Sequence, residues 1–276
     1  MTPTYSYEGG PILKVDNVSL QLEDNLILRD INIEIKNVVR PGATTGQIIG
    51  FLGPSGRGKT QLFNIISGLR KPTTGTVEVF GKPVQMGTVG VVAQKYPLFM
   101  HRTVLGNLEI AAERNKTWDK ATKKAKIDFY LDRFKISDKA KFYPAKLSGG
   151  QRQRVAIIQQ LLCSENFLLM DEPFSGLDVN MTEEVCQTIT EVANLSDLNT
   201  VIVVTHDYAS AASISNNLWF LGFDYNPDGT IQQPGARIKF EDNLMDRGFC
   251  WNFPGVYDMP EFQTYLRDVR KTFNQL

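Results

Sequence analysis

The sequence predicts an α/β fold, and three observations carry that expectation. Phe167 to Met170 and Val201 to Val204 are continuous apolar runs of strand length, as in strands covered on both faces. Segments with apolar residues at helical spacing stand before, between and after them, so buried parallel strands alternate with helices. Residues 12–20 and 31–35 instead alternate apolar and polar side chains, which adds an antiparallel part to the parallel core. A chain of 276 residues, 42% hydrophobic and 22% charged, suits one large domain or one domain with a modest appendage, and excludes disorder, collagen and coiled coil.

The elements follow in order. Residues 12–20 and 31–35 read as half-buried strands, with Asp24 and Asn25 as the turn between them. Residues 36–46 read as a long loop at the tip of a hairpin, and residues 47–52 as a buried strand. A glycine-rich loop and the helical pattern QLFNIISGL come next, then short strands at 76–80 and 89–93. Helices are predicted near 104–113, 119–134, 149–163 and 181–194, and buried strands at 167–170 and 201–205. Beyond Gly222 the pattern loosens into DYNPDGTIQQPG, followed by a short strand pair and a helix over 260–273.

Thirty Lys and Arg balance thirty Asp and Glu, so no overall positive field points to nucleic acid or to an anionic membrane. Residues 113–141 hold ten basic and five acidic residues, which reads as a solvated helical face. Cys163, Cys186 and Cys250 are odd in number and far apart, giving neither a disulfide framework nor metal-ligand spacing. The polar first ten residues carry no signal-peptide pattern, and every apolar run falls short of the roughly 20 residues that span a bilayer.

The chemistry begins at Gly53-Pro54-Ser55-Gly56-Arg57-Gly58-Lys59-Thr60, which fits G-x-x-x-x-G-K-[ST] between a predicted strand and a helix N-terminus. Glycines there let backbone N–H groups curl around a phosphate chain, and the helix dipole adds partial positive charge. Lys59 is expected at the β- and γ-phosphates, and the Thr60 hydroxyl on Mg²⁺. Asp171 and Glu172 close the strand FLLM: one carboxylate is placed for the metal, the next to polarise an attacking water. An acid pair at a strand end is by itself commonplace, and its weight comes from its neighbours. Only 24 residues upstream of Glu172, Leu147-Ser148-Gly149-Gly150-Gln151 opens another helix, whose N-terminus suits a second phosphate chain.

With LSGGQ beside a P-loop, the chain resembles the ATP-binding cassette (ABC) ATPases over roughly residues 12–221. The resemblance implies a P-loop NTPase core with an antiparallel β subdomain and an α-helical signature subdomain near 95–160. On that division residues 1–11 are an N-terminal tail, 12–222 the ATPase domain and 223–276 a C-terminal extension. It also implies ATP and Mg²⁺ as ligands, and a dimer in which Ser148, Gly149, Gly150 and Gln151 bind the nucleotide held by the other subunit. Gln94 resembles the glutamine that touches metal and water, Ser175-Gly176-Leu177-Asp178 the loop crossing the dimer interface, and His206 the switch histidine at the γ-phosphate. A lone histidine at a strand end is ordinarily structural, but its register with the other motifs favours function; His101 is read as surface packing. Glu172, His206 and Gln94 are thus the catalytic candidates, Thr60, Gln94 and Asp171 the metal candidates, and residues 53–61 the nucleotide loop.

Three departures from the family pattern stand out. Leu22 occupies the position where an aromatic ring usually stacks on adenine, with Tyr5 and Tyr7 too far upstream to replace it. Gln61 stands where a second hydroxyl residue is common, altering a hydrogen bond to the α-phosphate. Arg57 fills a free loop position, its side chain either over the phosphates or out in solvent.

Tyr143-Pro144-Ala145-Lys146 and DEPFSGLD resemble importer subunits. The stretches 96–111, 236–244 and 259–273 look like the nitrate, sulfonate and taurine uptake ATPases. The resemblance implies a peripheral subunit at the cytoplasmic face of the plasma (inner) membrane. Tyr96 to Arg102 would dock on integral membrane permease subunits, and a solute-binding protein would act through the permease. The alternative from another class is a soluble, non-transport ABC ATPase clamping on DNA, a ribosome or an iron–sulfur scaffold; a third is a nucleotide-binding subunit with little hydrolysis, against which Glu172 and His206 argue.

Overall fold

The computed structural model describes residues 5–164 and 166–276. Its centre is β3 (Gln47–Leu52), buried at all six positions, which pairs in parallel with β8 (Thr200–Thr205) on one side and β9 (Asn217–Tyr225) on the other. Beyond β8 lie β7 (Phe167–Asp171) and β6 (Gly90–Val92), also parallel. Beyond β9 come β10 (Ile231–Asn243), β2 (Asn25–Val39), β1 (Ser6–Leu22), β4 (Thr74–Val79) and β5 (Lys82–Pro83). Pairing is antiparallel along this arm except where β10 meets β2 at Ala236 and Leu28. The parallel core with an antiparallel arm matches the predicted architecture.

Helices cover the sheet because their apolar stripes have no other shelter. The largest core cluster joins β6, β7 and β8 to α2 (Val104–Ala112), α3 (Lys120–Arg133), α4 (Gly149–Cys163) and α5 (Val179–Ala193). A second cluster packs α1 (Lys59–Ile66) against the antiparallel strands. A third holds α6 (Tyr208–Ile214) and α7 (Pro260–Phe273) against β9 and β10. Phe51, Phe167 and Phe220 are buried to below 2% exposure, each such ring being worth about 1.5–3 kcal/mol of burial.

Four expectations need correction. Residues 6–11 are not a tail: β1 starts at Ser6, and Ser6, Tyr7 and Glu8 pair with Val39, Val38 and Asn37; the first four residues lie outside the described ones. The tip of that hairpin is Glu23 and Asp24, so residues 36–46 are no tip: Lys36 to Val39 continue β2, and an Arg40–Ala43 bridge leads back to β3. This connection is pinned by Gln47 Nε2 donating to the Lys36 carbonyl at 3.0 Å and by the Thr45 N–H donating to Asp197 at 2.6 Å. The expected division at 222/223 falls inside β9, and residues 231–243 are a full strand of the same sheet rather than a separate extension.

Cys163, Cys186 and Cys250 are free thiols. Burial pushes the Cys186 thiol up to about 12, away from reactivity.

Candidate nucleotide site

The C-terminal ends of β3, β7 and β8 lie side by side, where a parallel sheet presents loops and helix N-termini to a ligand. β3 runs into the loop 53–58 and then α1. Gly53 is required by close approach: a Cβ there would stand 2.6 Å from the Leu221 carbonyl oxygen. Gly56 and Gly58, both at φ +81°, supply the left-handed turns that curl the loop, a conformation that disfavours any side chain. Pro54 is half-buried, while Ser55, Gly56 and Thr60 are exposed, so one wall of the loop faces solvent.

Lys59 is enclosed, 8% exposed, and points back into the loop, donating to the Gly53 carbonyl at 2.7 Å and the Pro54 carbonyl at 3.1 Å. Burial lowers its pKa, opposed by the charges of Glu172 and Asp171. Its Nζ lies 3.7 Å from Glu172 Oε1, so the expected phosphate cation and the expected base are already neighbours.

The register of β7 on β8 pairs Asp171 with Val204, which delivers the next residues of both strands to one place. Glu172 Oε2 accepts from the Thr205 hydroxyl at 2.9 Å and the His206 N–H at 3.4 Å, and lies 2.9 Å from His206 Nδ1. The Glu172 backbone is left-handed, φ +48°, and its N–H donates to the Val204 carbonyl at 2.8 Å. His206 is exposed and precedes α6, which Asp207 caps by accepting from the Ser210 N–H at 3.1 Å.

Asp171 is half-buried, and its Oδ1 is enclosed without a hydrogen-bond partner. Burial pushes its carboxyl up, Glu172 adds to the rise, and Lys59 opposes it. An orphaned carboxylate oxygen at a phosphate loop suits a hard cation. No group of three or more His, Cys, Asp or Glu able to hold a metal occurs among the described residues. Mg²⁺ takes one or two protein oxygens and completes its shell with phosphate and water, a demand that the single orphaned Asp171 oxygen fits. Asp171 and Thr60 would hold it, where it would neutralise phosphate charge.

Other predicted residues stand elsewhere. Gln94 is exposed, its amide donating to Ser175 Oγ at 3.2 Å, so the glutamine touches the loop before α5 rather than Glu172. Ser148 caps α4, accepting from the Gln151 N–H at 3.2 Å while Gln151 Oε1 accepts from the Ser148 N–H at 3.0 Å. Gly149 and Gly150 are half-exposed, and a Cβ at Gly150 would meet nothing within 4 Å. Among the described residues no hydrogen bond or ion pair joins residues 148–151 to residues 53–61. Gln61 is half-buried with its Oε1 unpartnered.

Arg57 does neither of the two things expected of it. Its guanidinium turns from the loop onto β9, lying 4.7 Å from the centre of the Phe223 ring and bonded to Tyr225 and Leu276. Leu22 is half-buried against the second core cluster, and Tyr5 is tied to Asp246 and Asn243 in a different part of the molecule. Thr205 is the functional candidate that motif reading passed over: its hydroxyl looks like an ordinary strand residue until the β7–β8 register brings it to Glu172.

Comparison with known proteins agrees with this geometry. Residues 38–175 match the family described as ABC transporter. A probable sulfate/thiosulfate import ATP-binding protein of Chlorella vulgaris is 33% identical over 247 residues, covering 88% of this chain and 98% of the relative. A methionine import ATP-binding protein of Nocardia farcinica is 36% identical over 194 residues, 67% of this chain and 55% of that longer relative. The solved ATP-binding cassette MJ0796, a dimer in a post-hydrolysis state bound to ADP and Pi, superposes with a TM-score of 0.64 at 26% identity, covering 84% of this chain and 98% of that one.

Proposed function

The chain belongs to the ABC transporter family and is an ATPase of that family; from that premise we propose that it is the ATP-hydrolysing subunit of an importer, working as a dimer against a membrane permease. The observation that supports the dimer is the solvent-facing N-terminus of α4, where Ser148 is exposed and Gly149 and Gly150 are half-exposed. This helix end would suit a phosphate chain, and among the described residues no hydrogen bond joins it to the chain's own P-loop. Two chains closing face to face would place each ATP between the Lys59 loop of one and the Ser148 loop of the other. Glu172, oriented by Thr205 and His206, would then direct water at the γ-phosphorus, with Gln94 approaching on closure. Loss of that phosphate removes the contacts that hold the halves together.

The permease surface is supported by an apolar rim around the start of α2. Phe99, Met100, Phe142 and Tyr143 are exposed. They lie together because the Val104 N–H donates to the Phe142 carbonyl at 2.8 Å and the Phe99 N–H donates to Asn107 Oδ1 at 2.8 Å. A rim of this kind suits a helix presented by a membrane protein. No described helix is long and apolar enough to cross a membrane. As the subunit of the proposed importer, the chain would work peripherally at the cytoplasmic face.

For the solute we favour a sulfur oxyanion. Two relatives that support this are named for sulfate and thiosulfate rather than for nitrate, sulfonate or taurine, each matched over 88% of this chain, and the methionine import relative, matched over 67%, carries the alternative. A solute-binding protein acting through the permease would select it.

The test is affinity purification of the tagged chain from gently solubilised membranes, with mass spectrometry of what accompanies it. A polytopic membrane protein is expected. Recovery from the soluble fraction with a cytoplasmic or nucleic-acid partner would replace transport by the clamp alternative and leave the ATPase standing.

A further inference from the structure

Arg57 sits between two glycines, both at φ +81°, in the stretch of the P-loop where the backbone is least restrained by its own chemistry. It is the one side chain in Gly56-Arg57-Gly58, and it is anchored on several sides. Its Nε donates to the Leu276 main-chain oxygen at 2.9 Å and its Nη2 to the Tyr225 hydroxyl at 2.6 Å. Its guanidinium carbon lies 4.7 Å from the Phe223 ring centre and 6.0 Å from that of Tyr225.

The anchor point is itself fixed. The same Leu276 oxygen accepts from the Phe223 N–H at 3.2 Å, and Leu276 is buried. A Cβ at Gly222 would stand 2.9 Å from the Leu276 Cβ, so the absence of a side chain at 222 is what lets Leu276 seat. Upstream, the Phe273 ring at the end of α7 lies 5.5 Å from Tyr208, the first residue of α6 and two after His206. The segment from α7 to Leu276 therefore touches the phosphate loop at one end and the helix behind the switch histidine at the other.

We propose that Arg57 is a positioning residue. It fastens the P-loop to Phe223, Tyr225 and Leu276, holds the loop curled before nucleotide arrives, and so removes an ordering cost from ATP binding. The inference rests on the P-loop as the ATP site. Free glycine-flanked backbone would have to be ordered on binding, and a loop already ordered avoids part of that cost. A lysine cannot do the same work, because an ammonium lacks the planar face and the two-directional fork.

The experiment uses the full chain as wild type, Arg57→Ala, Arg57→Lys and Tyr225→Phe. Two quantities are read: equilibrium affinity for Mg·ATP at low temperature, and amide hydrogen exchange of residues 53–60 and 274–276 in the nucleotide-free protein. Arg57→Ala is expected to raise Kd about tenfold and to speed exchange in both segments together. Arg57→Lys should stay within about threefold of Arg57→Ala, and Tyr225→Phe should raise Kd about threefold.

An unchanged Kd overturns the proposal. So does a raised Kd with unchanged loop exchange, which would put Arg57 on the nucleotide itself, and so does full rescue by lysine, which would make charge alone sufficient. Should Arg57→Ala not fold, Tyr225→Phe, which deletes one hydroxyl, decides by the same two readings. Failure of the wild type to bind ATP would overturn the site's assignment and this inference with it, an outcome visible before any variant is compared.

Discussion

Replacing Glu172 by glutamine separates charge from geometry. Oε2 accepts from Thr205 at 2.9 Å and lies 2.9 Å from His206 Nδ1, and a glutamine carbonyl oxygen can occupy the same point. The new amide would fall at the Oε1 position, 3.7 Å from Lys59 Nζ, where the carboxylate's attraction for the ammonium is lost. The fold should therefore change little, and with no competing carboxylate at Lys59 the Kd for ATP should be no higher than in the wild type. What disappears is the basic carboxylate, and a positioned general base contributes about 10²–10⁴ in rate. At 1.36 kcal/mol per tenfold, that is about 2.7–5.4 kcal/mol of barrier. Steady-state phosphate release should thus fall by at least about 100-fold, while size-exclusion chromatography in Mg·ATP shows dimers accumulating. A fall in kcat of less than about tenfold would mean another group activates the water, and the role given to Glu172 would be wrong.

Lys59→Ala removes a buried ammonium expected to meet two phosphates; charge-assisted hydrogen bonds contribute about 1.5–3 kcal/mol each, so Kd for ATP should rise at least about tenfold in a calorimetric titration. Asp171→Asn should abolish Mg²⁺-dependent turnover yet stabilise the nucleotide-free fold at neutral pH. A carboxyl whose folded pKa is raised by burial binds its proton more tightly in the fold. Wild-type stability therefore falls as pH rises from near the unfolded value of about 4 through the folded value, and the asparagine variant escapes that loss. Scanning calorimetry should show the variant's advantage at pH 8 and none at pH 4; the reverse order would contradict the buried, orphaned oxygen. Leu22→Tyr should tighten ATP binding about two- to tenfold if adenine lies against that position, since aromatic stacking adds about 0.5–1.5 kcal/mol; an unchanged Kd would place the base elsewhere.

Much of this site could be read in the sequence because its parts are local. A buried strand, a glycine-rich turn and a helix start lie within residues 47–66, and each leaves its own pattern. The same holds for Ser148 and Gln151, whose reciprocal cap spans four residues. What escaped reading depends on partners distant in the chain. Ser6 to Glu8 are exposed and carry no apolar alternation, and their strand character comes from pairing with Asn37 to Val39, whose Val38 is buried in the third core cluster. The direction of Arg57 is decided by Tyr225 and Leu276, which lie 168 and 219 residues further along. Residues 223–243 seemed an appendage because their composition is loose, yet β9 and β10 close the gap between the parallel core and the antiparallel arm.

The geometry also bears on how the proposed base is held. Glu172 holds a left-handed backbone, a conformation that costs a side-chain-bearing residue about 1–2 kcal/mol. It persists because the N–H bond to Val204 and the two side-chain partners on β8 define its place. In that place one oxygen is shared by Thr205 and His206, and the other faces Lys59. The ammonium thus offsets two adjacent carboxylates, Asp171 and Glu172, that would otherwise repel each other in a half-buried pocket. A triphosphate entering the loop competes for the same ammonium and, on the proposed reading, for His206 as well. Each contact it gains with the ammonium is one that Glu172 loses, so on the proposed reading substrate binding frees Oε1 to face the attacking water. On this account Lys59 is a partner of the base as well as an expected phosphate ligand, its Nζ held 3.7 Å from Glu172 by the bonds it donates to the Gly53 and Pro54 carbonyls.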